Sequence, residues 1–239
     1  MDSRITPEKG PKSRIRWTYT IVSVVLGIIV VMPIALLLAF RFLPVPATPQ
    51  MAATALGGQT VHYSWAEAED ISPYLGRAVI ASEDQKFCSH HGFDWDSINS
   101  ALRAHDRGGR LRGASTISQQ TARSLMLLPV RSWIRKGMEA YITVLMEALW
   151  PKKRTLTAYL NLANWGHGNF GAEAAAQAYF ETSAARLTPE EASRLAAILP
   201  DPEKWRAARP GPYVAGRSET VVARMGEVRR DDLDSCVRP

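Results

Sequence analysis

The sequence predicts a mainly α-helical protein in which a single membrane-spanning helix precedes a helical domain. The 23 residues from Thr18 to Phe40 contain no charged side chain. At about 1.5 Å per residue, a helix of that length spans the roughly 30 Å hydrocarbon core of a bilayer. Beyond Ser72, apolar residues recur at helical spacing, as in Ile134, Met138 and Ile142, and no sustained period-2 alternation competes.

Composition excludes several classes of protein. With 239 residues, 46% hydrophobic and 22% charged, the chain has the composition of a globular protein rather than of a disordered or collagen-like one. Half of the net charge of +6 lies in residues 1–17, and the remainder is too evenly balanced for a general polyanion binder, so no nucleic-acid partner is expected. Cys88 and Cys236 allow at most one disulfide, and whether they pair stays open.

The apolar segment divides the N-terminal region into three parts. Residues 1–17 form a basic tail, 18–43 the membrane helix and 44–65 a Pro- and Gly-rich linker expected to lift the next domain off the bilayer. Pro33 is tolerated in a spanning helix. Basic residues precede the helix, whereas Glu67, Glu69 and Asp70 follow it, so the positive-inside rule places the N-terminus in the cytoplasm. A cleaved signal peptide is the alternative, but its apolar region is usually shorter, about 7 to 15 residues.

The remaining chain is expected to form one all-α domain over residues 66–205, followed by a C-terminal tail, 206–239. Thr188, Pro189 and Glu191 make a capping box with proline at the first helical position. The tail is rich in Arg and Asp, and we expect it to be loosely ordered.

Ionisable residues cluster directly after the apolar run 78–81. This first stretch comprises Glu83, Asp84, Phe87, His90, Gly92 and Asp94. A carboxylate that follows a buried helical turn is desolvated, which raises its pKa and suits it to general-base work near neutral pH. The alternative is an ordinary helix end at which His90 and Asp94 are surface caps.

The second stretch, 113–120, has a glycine, small hydroxyls and paired amides at the start of a predicted helix. Backbone N–H groups and hydroxyls at such a position bind anions or sugar hydroxyls. Ser115 or Thr116 could equally be an ordinary N-cap. Gln119 and Gln120 are harder to explain by packing alone.

The third stretch is strongly basic. Between residues 103 and 136 the charged side chains are Arg103, Arg107, Arg110, Arg112, Arg123, Arg131, Arg135 and Lys136 against Asp106 alone. Arginine pairs bidentately with phosphate, so a basic face on a membrane-tethered domain indicates an anionic lipid or a lipid-linked phosphate. Glu139 shares a helix face with Arg135 and Lys136, and a simple helix ion pair is the alternative interpretation there.

An apolar run, 125–130 with Trp133 and Ile134 after it, lies among these cations. It fits an interfacial patch that dips toward lipid headgroups and fits burial in the core about equally well.

Taken in order, these stretches resemble the peptidoglycan glycosyltransferases of glycosyltransferase family 51, most closely its monofunctional branch. The motif Glu-Asp-x-x-Phe-x-x-His-x-Gly-x-Asp begins at Glu83, Gly-x-Ser-Thr-Ile-(Thr/Ser)-Gln-Gln at Gly113, Arg-Lys-x-x-Glu at Arg135 and Tyr-Leu-Asn at Tyr159. The resemblance covers roughly residues 66–205. Thr157 stands where many bifunctional relatives have Glu, Arg123 where Lys is usual, and Cys88 at an often aromatic position.

The resemblance implies a lysozyme-like helical glycosyltransferase domain that joins lipid II units, carried on undecaprenyl diphosphate, into β-1,4 glycan strands with inversion. It implies catalytic roles for Glu83, as the base, and for Glu139, which would orient the cations or hold a divalent cation, Mg or Mn. The substrate-binding residues would be Asp84, Phe87, His90, Ser115, Thr116, Gln119, Gln120, Arg123, Arg131, Arg135, Lys136 and Asn161. No organic cofactor is expected.

The same resemblance implies a bacterial inner-membrane enzyme with a periplasmic catalytic domain, accompanied by cell wall synthesis or division proteins. Two rivals from other classes stay open. A glycan-cleaving enzyme also uses a carboxylate in a helical cleft but has no diphosphate to bind. A membrane scaffold would leave Glu83, Gln119 and Gln120 without a role.

Overall fold

The computed structural model describes residues 11–109, 115–130 and 132–238, with side chains from Arg16 onward. The helices are α1 (Pro11–Leu26), α2 (Met32–Phe40), α3 (Pro49–Leu56), α4 (Pro73–Glu83), α5 (Trp95–Asp106), α6 (Ile117–Met126), α7 (Trp133–Leu149), α8 (Lys152–Leu162), α9 (Ala172–Phe180), α10 (Pro189–Ile198) and α11 (Pro212–Arg230). Two short strands, β1 (His62–Tyr63) and β2 (Asn169–Phe170), pair in parallel. The prediction of a mainly α protein is confirmed.

The N-terminal helix is long and apolar enough to cross a membrane over Arg16–Phe40. Between α1 and α2 it widens into a π turn, Gly27–Val31, closed by the bond from Met32 N to the Gly27 carbonyl. Pro33 follows immediately. Because proline has no N–H and its ring clashes with the carbonyl four residues earlier, the wide turn accommodates it without ending the helix.

The end of α2 is bonded to the helical domain. Carbonyls at the end of a helix can accept hydrogen bonds from side chains, because they lack an intrahelical partner or through their second lone pair. Here Trp150 Nε1 donates to the Leu37 carbonyl at 2.7 Å, and Arg154 Nε donates to the Phe40 carbonyl at 2.9 Å. Arg154 also donates to the Leu43 carbonyl. Trp150 and Arg154 therefore hold the end of the membrane helix against the domain, and this contact is called the joint below.

The segment 44–65 differs from the predicted free linker. Thr48 caps α3 by accepting a hydrogen bond from Met51 N, and Pro49 occupies the first turn of that helix. Val45 and Met51 are buried in a cluster that also contains residues of α6 and α7. The segment therefore packs on the domain.

Two apolar clusters form the core. One joins α4, α8, α9, α10 and α11 and contains the fully buried Trp165 and Phe87. The other joins α2, α3, α6, α7 and α8. Because α8 contributes to both clusters, it connects the N-terminal helices α2 and α3 to the remaining helices.

The C-terminal region differs from the loosely ordered tail that its composition predicted. It forms the 19-residue helix α11, which packs on α4 and α10. Its buried residues Val214, Val221 and Val228 recur every seven positions and so make one narrow stripe. Arg224, Arg229 and Arg230 of this helix are exposed, which is why composition alone was misleading.

The open question of the two cysteines has an answer in the structure. Cys88 and Cys236 form a disulfide across a sequence separation of 148 residues. It ties the turn after α4 to the segment after α11.

Asn161, one of the residues expected to contact substrate, is fully buried in α8. Its Oδ1 accepts from Ala66 N at 2.8 Å, and its Nδ2 donates to the carbonyls of Ala66 and Thr157, each at 2.9 Å. These bonds satisfy both backbone groups of Ala66. The structure thus replaces the expected substrate contact of Asn161 by a structural one.

Replacement of Arg154 should loosen the joint. We expect amide hydrogen exchange in residues 41–48 to be about tenfold faster or more in Arg154→Gln, since each hydrogen bond to a charged group contributes about 1.5–3 kcal/mol. The matched control is Arg229→Gln, an exposed arginine of α11. Equal exchange in the two variants would contradict the joint.

Replacement of Asn161 by Ala should lower the free energy of unfolding by about 1–3 kcal/mol or more, because two buried backbone groups lose their partner. Chemical denaturation in detergent measures it, with the exposed Asn99→Ala as control. A stability equal to that of the control would contradict the structural role.

Candidate active site

The carboxylate of Glu83 stands at the end of a buried helix. Ala78, Val79 and Ile80 bury α4 in the core, and Glu83 is its last residue. The Glu83 side chain retains 16% exposure. It opens into a cleft of about 1110 Å³ between the end of α4, α5 and the start of α6, where Asp84, Lys86, Ser115, Thr116 and Arg224 also line the wall. A buried carboxylate that still reaches an open cleft can exchange a proton with a bound ligand.

The surroundings of Glu83 raise its pKa in the direction that the sequence predicted. Burial is the largest cause, and the hydrogen bond from Gln120 Nε2, 3.2 Å to Glu83 Oε2, lowers the pKa only in part. The charge of Arg217 also lowers it, with NH2 3.7 Å from Glu83 Oε1, as does that of Arg123, whereas Asp84 raises it. The resulting carboxyl group holds a proton more readily than an exposed glutamate, as a general base near neutral pH should.

Asp84 joins the first two motifs. Its Oδ2 accepts from Ile117 N at 2.9 Å and lies 2.9 Å from His90 Nε2. Asp84 and His90 are both buried. The carboxylate therefore fixes the start of α6 against the turn that carries His90, and both residues act on the shape of the cleft.

The start of α6 is a complete capping box, the ordinary alternative considered above. The Thr116 side chain accepts from Gln119 N, and the Gln119 side chain accepts from Thr116 N at 3.1 Å. Thr116 Oγ1 also donates to the Gly92 carbonyl at 2.6 Å. Gln119 and Thr116 thus serve the local fold, whereas Gln120 reaches Glu83 and half-buried Ser115 faces the cleft.

Phe87 lies in the core with no exposed surface, and Lys152 Nζ stands 4.6 Å from its ring centroid. A substrate cannot reach this ring while the helices stay packed. The structure therefore replaces the expected substrate contact of Phe87 by packing, because a large apolar ring is most stable when fully buried.

Glu139 is buried on α7, and both of its carboxylate oxygens are occupied by cations. Arg135 NH1 donates to Oε2 at 2.8 Å, and Lys136 Nζ donates to Oε1. A buried ion pair fixes its partners far more strictly than an exposed one does. Glu139 therefore orients Arg135 and Lys136 toward the surface.

The donor set does not fit a protein-held divalent cation at Glu139. Each of its oxygens already accepts a hydrogen bond from a cation. Within residues 11–109, 115–130 and 132–238 no three His, Cys, Asp or Glu side chains come together as a metal site. Of the two roles that the resemblance implied for Glu139, the geometry fits orientation.

Of the other cations predicted to bind substrate, only Arg123, within the described part of the chain, can be placed near Glu83. Arg123 of α6 is close enough to Glu83 and Tyr159 for its charge to act on both. Arg131, together with Arg110 and Arg112, lies outside the described residues. Arg217 was missed from the sequence because it belongs to the region assigned as a tail, although the seven-residue spacing of valines could have revealed its helix.

The apolar run among the cations is divided between core and surface. Leu125 is buried, whereas Leu128, Val130, Trp133 and Ile134 are exposed, Trp133 to 92%. Four large exposed apolar side chains so close together mark an interaction surface.

Comparison with known proteins agrees with this arrangement. Residues 50–226 match the family model described as Transglycosylase, beyond the predicted limits of 66–205 at both ends. Biosynthetic peptidoglycan transglycosylase of Caulobacter vibrioides is 47% identical over 210 residues, 88% of this chain and 92% of the relative. The proteins of the same name from Rhodospirillum centenum (49% over 205 residues, 85% and 89%) and Pseudomonas aeruginosa (47% over 205 residues, 83% and 88%) are similar to it as well. The chain belongs to the transglycosylase family.

Proposed function

We propose that this chain is a peptidoglycan glycosyltransferase that polymerises lipid II into β-1,4-linked glycan strands. The observation that carries the proposal is Glu83, a carboxylate with a raised pKa that opens into the large cleft and has Arg217 and Arg123 nearby. Membership of the transglycosylase family and relatives named for peptidoglycan biosynthesis support the same reaction.

In the proposed step, Glu83 takes the proton of the acceptor sugar's 4-hydroxyl. The oxygen attacks the anomeric carbon of the donor, and the bond from that carbon to the lipid diphosphate breaks. The displacement inverts the configuration and needs no covalent sugar–enzyme intermediate. The sugar hydroxyl is a very weak acid, so a base held close to it and desolvated is what the reaction requires.

The leaving diphosphate gains negative charge, which preorganised cations stabilise. Arg135 and Lys136 are held by the buried Glu139, and Lys136 keeps 43% exposure. Arg123 adds a charge near the base. Arg131 is proposed for the same role on the sequence alone.

The location proposed is the bacterial inner membrane, with the N-terminus in the cytoplasm and the domain on the periplasmic side. The basic tail and the acidic residues after the helix support this orientation. A disulfide between Cys88 and Cys236 suits an oxidising compartment. The exposed group around Trp133 would lie at the headgroups, near the substrate's polyprenyl tail. Cell wall synthesis or division proteins are the proposed partners.

Glu83→Gln should abolish polymerisation because the amide cannot take the proton. Labelled lipid II is incubated with the full chain in detergent, and the product is sized before and after muramidase digestion. The exposed Glu219→Gln on α11 is the matched control and should make muramidase-sensitive polymer at the unaltered rate. Polymer from Glu83→Gln would contradict the assignment of the base. Cleavage of preformed glycan by the unaltered chain would favour the lytic rival.

Glu139→Gln should lower kcat about 10²- to 10³-fold, because Arg135 and Lys136 lose the anion that orients them and charge stabilisation at the leaving group suffers. Initial rates with lipid II measure it, with the exposed Glu227→Gln as control. Recovery with excess Mg²⁺ would contradict the orienting role and indicate metal binding instead.

A further inference from the structure

We propose that Cys88, Cys236 and the ion cluster of Asp234 with Arg77 and Arg238 form a clasp that positions α11, so that Arg217 stays beside Glu83. The clasp residues are positioning residues, since they act through α11 and touch no reacting atom. This inference rests on the proposed role of Glu83 as the base.

The covalent half of the clasp lies close to the base in sequence. Cys88 follows Glu83 by five residues, in a turn closed by hydrogen bonds from Phe87 N to the Asp84 carbonyl and from Ser89 N to the Lys86 carbonyl. Its partner Cys236 lies beyond the end of α11, and Cys236 N also donates to Cys88 Sγ at 3.3 Å. The end of the chain is thus fixed to the turn that follows the base.

The ionic half of the clasp forms an ion pair with α4 itself. Asp234 is buried, with 3% exposure, and accepts from Arg77 Nε and Arg238 Nε, each at 2.9 Å. Arg77 lies on α4 six residues before Glu83. Because loss of one partner leaves a buried charge uncompensated, such a cluster holds its geometry strongly. The clasp therefore attaches the C-terminal segment to α4 and to the turn after it.

The helix held by the clasp brings two arginines to the site. Arg217 NH2 lies 3.7 Å from Glu83 Oε1, and Arg224 lines the cleft. Helix α11 packs on α10 and α4 through its buried stripe, which includes Ser218, whose Oγ meets Ser193 Oγ of α10 at 2.7 Å, and the clasp adds to this packing at the end of the helix. Arg217 Nε is also buried without a hydrogen-bond partner. An unpaired buried N–H is costly, so any loosening of α11 would favour release of Arg217 from this place.

The groups that face Glu83 determine how its pKa changes when α11 is released. Gln120 and Arg123 face it from α6, Tyr159 from α8, Asp84 from the adjacent turn and Arg217 from α11. Arg217 and Arg123 lower the pKa of Glu83. If Arg217 moves away, that pKa rises further. Since the base works as a carboxylate, the rate is lost as pH falls through this pKa, and the loss then begins at a higher pH.

The test compares kcat for lipid II polymerisation as a function of pH, using the full chain in detergent. For each chain, kcat at acidic pH is divided by kcat on its own alkaline plateau. We expect this ratio to be lower, by roughly twofold or more, in the doubly substituted Cys88→Ser, Cys236→Ser chain than in the unaltered chain. Arg217→Gln should move the acid limb of the profile, the pH range over which kcat falls, to higher pH as well. Adding the two serine substitutions to Arg217→Gln should move it no further, and Arg229→Gln should leave the profile unchanged.

An acid limb that coincides with that of the unaltered chain, in a serine variant whose circular dichroism shows full helix content, would overturn the clasp. If that variant unfolds, the test uses Asp234→Asn with the disulfide intact. The same shift of the acid limb would support the clasp, and an unshifted limb would overturn it. Reduction and reoxidation of the unaltered chain should shift the limb reversibly and leave the serine variant unaffected. Activity retained by Glu83→Gln would instead refute the base, which distinguishes failure of the proposed function from failure of the clasp.

Discussion

One carboxylate oxygen, Asp84 Oδ2, holds the two halves of the site together. It accepts the hydrogen bond from Ile117 N at the start of α6 and lies beside His90 Nε2. Through it the end of α4, which carries the base, is fixed to the helix that carries Gln120 and Arg123. The bond lies in a buried region, where water cannot replace either partner and its contribution is correspondingly large. The geometry of the proposed base therefore depends on a neighbour that needs no contact with substrate.

Much of the fold and the environment of Glu83, the proposed base, could be predicted from the sequence. Hydrophobic spacing indicated the helices, an uncharged run the anchor, and the carboxylate after a buried turn a raised pKa. The individual roles of the motif residues could not be predicted, because the type of a side chain in a motif does not show whether that side chain is buried. Phe87, Thr116 and Asn161 all belong to motifs, yet they pack, cap and bridge backbone groups.

The contribution of α11 was the main element out of reach. Local composition reports solvent exposure more strongly than order when a helix buries only a narrow stripe. Val214, Val221 and Val228 are that stripe, and nothing nearby in the sequence shows that the helix packs on α4. The pairing of Cys88 with Cys236 was undetermined for the same reason, since a link across 148 residues depends on tertiary structure.

The same long-range dependence gives α8 its importance. It belongs to both apolar clusters, it carries the asparagine that bonds Ala66, and its first turn presents Arg154 to the membrane helix. A substitution that disturbs the packing of α8 would therefore affect both the cleft and the membrane helix. Its residues thus connect stability with the proposed reaction more directly than those of any exposed loop.

Because the joint ties the membrane helix to the domain, the thickness of the bilayer affects the orientation of the domain. A spanning helix adapts to a thinner bilayer by tilting. With Trp150 and Arg154 bonded to the carbonyls at its end, the tilt must be carried into the helical lobe. The angle at which the cleft meets the headgroups, and so the direction in which a growing strand leaves the surface, then follows the hydrocarbon thickness around the protein.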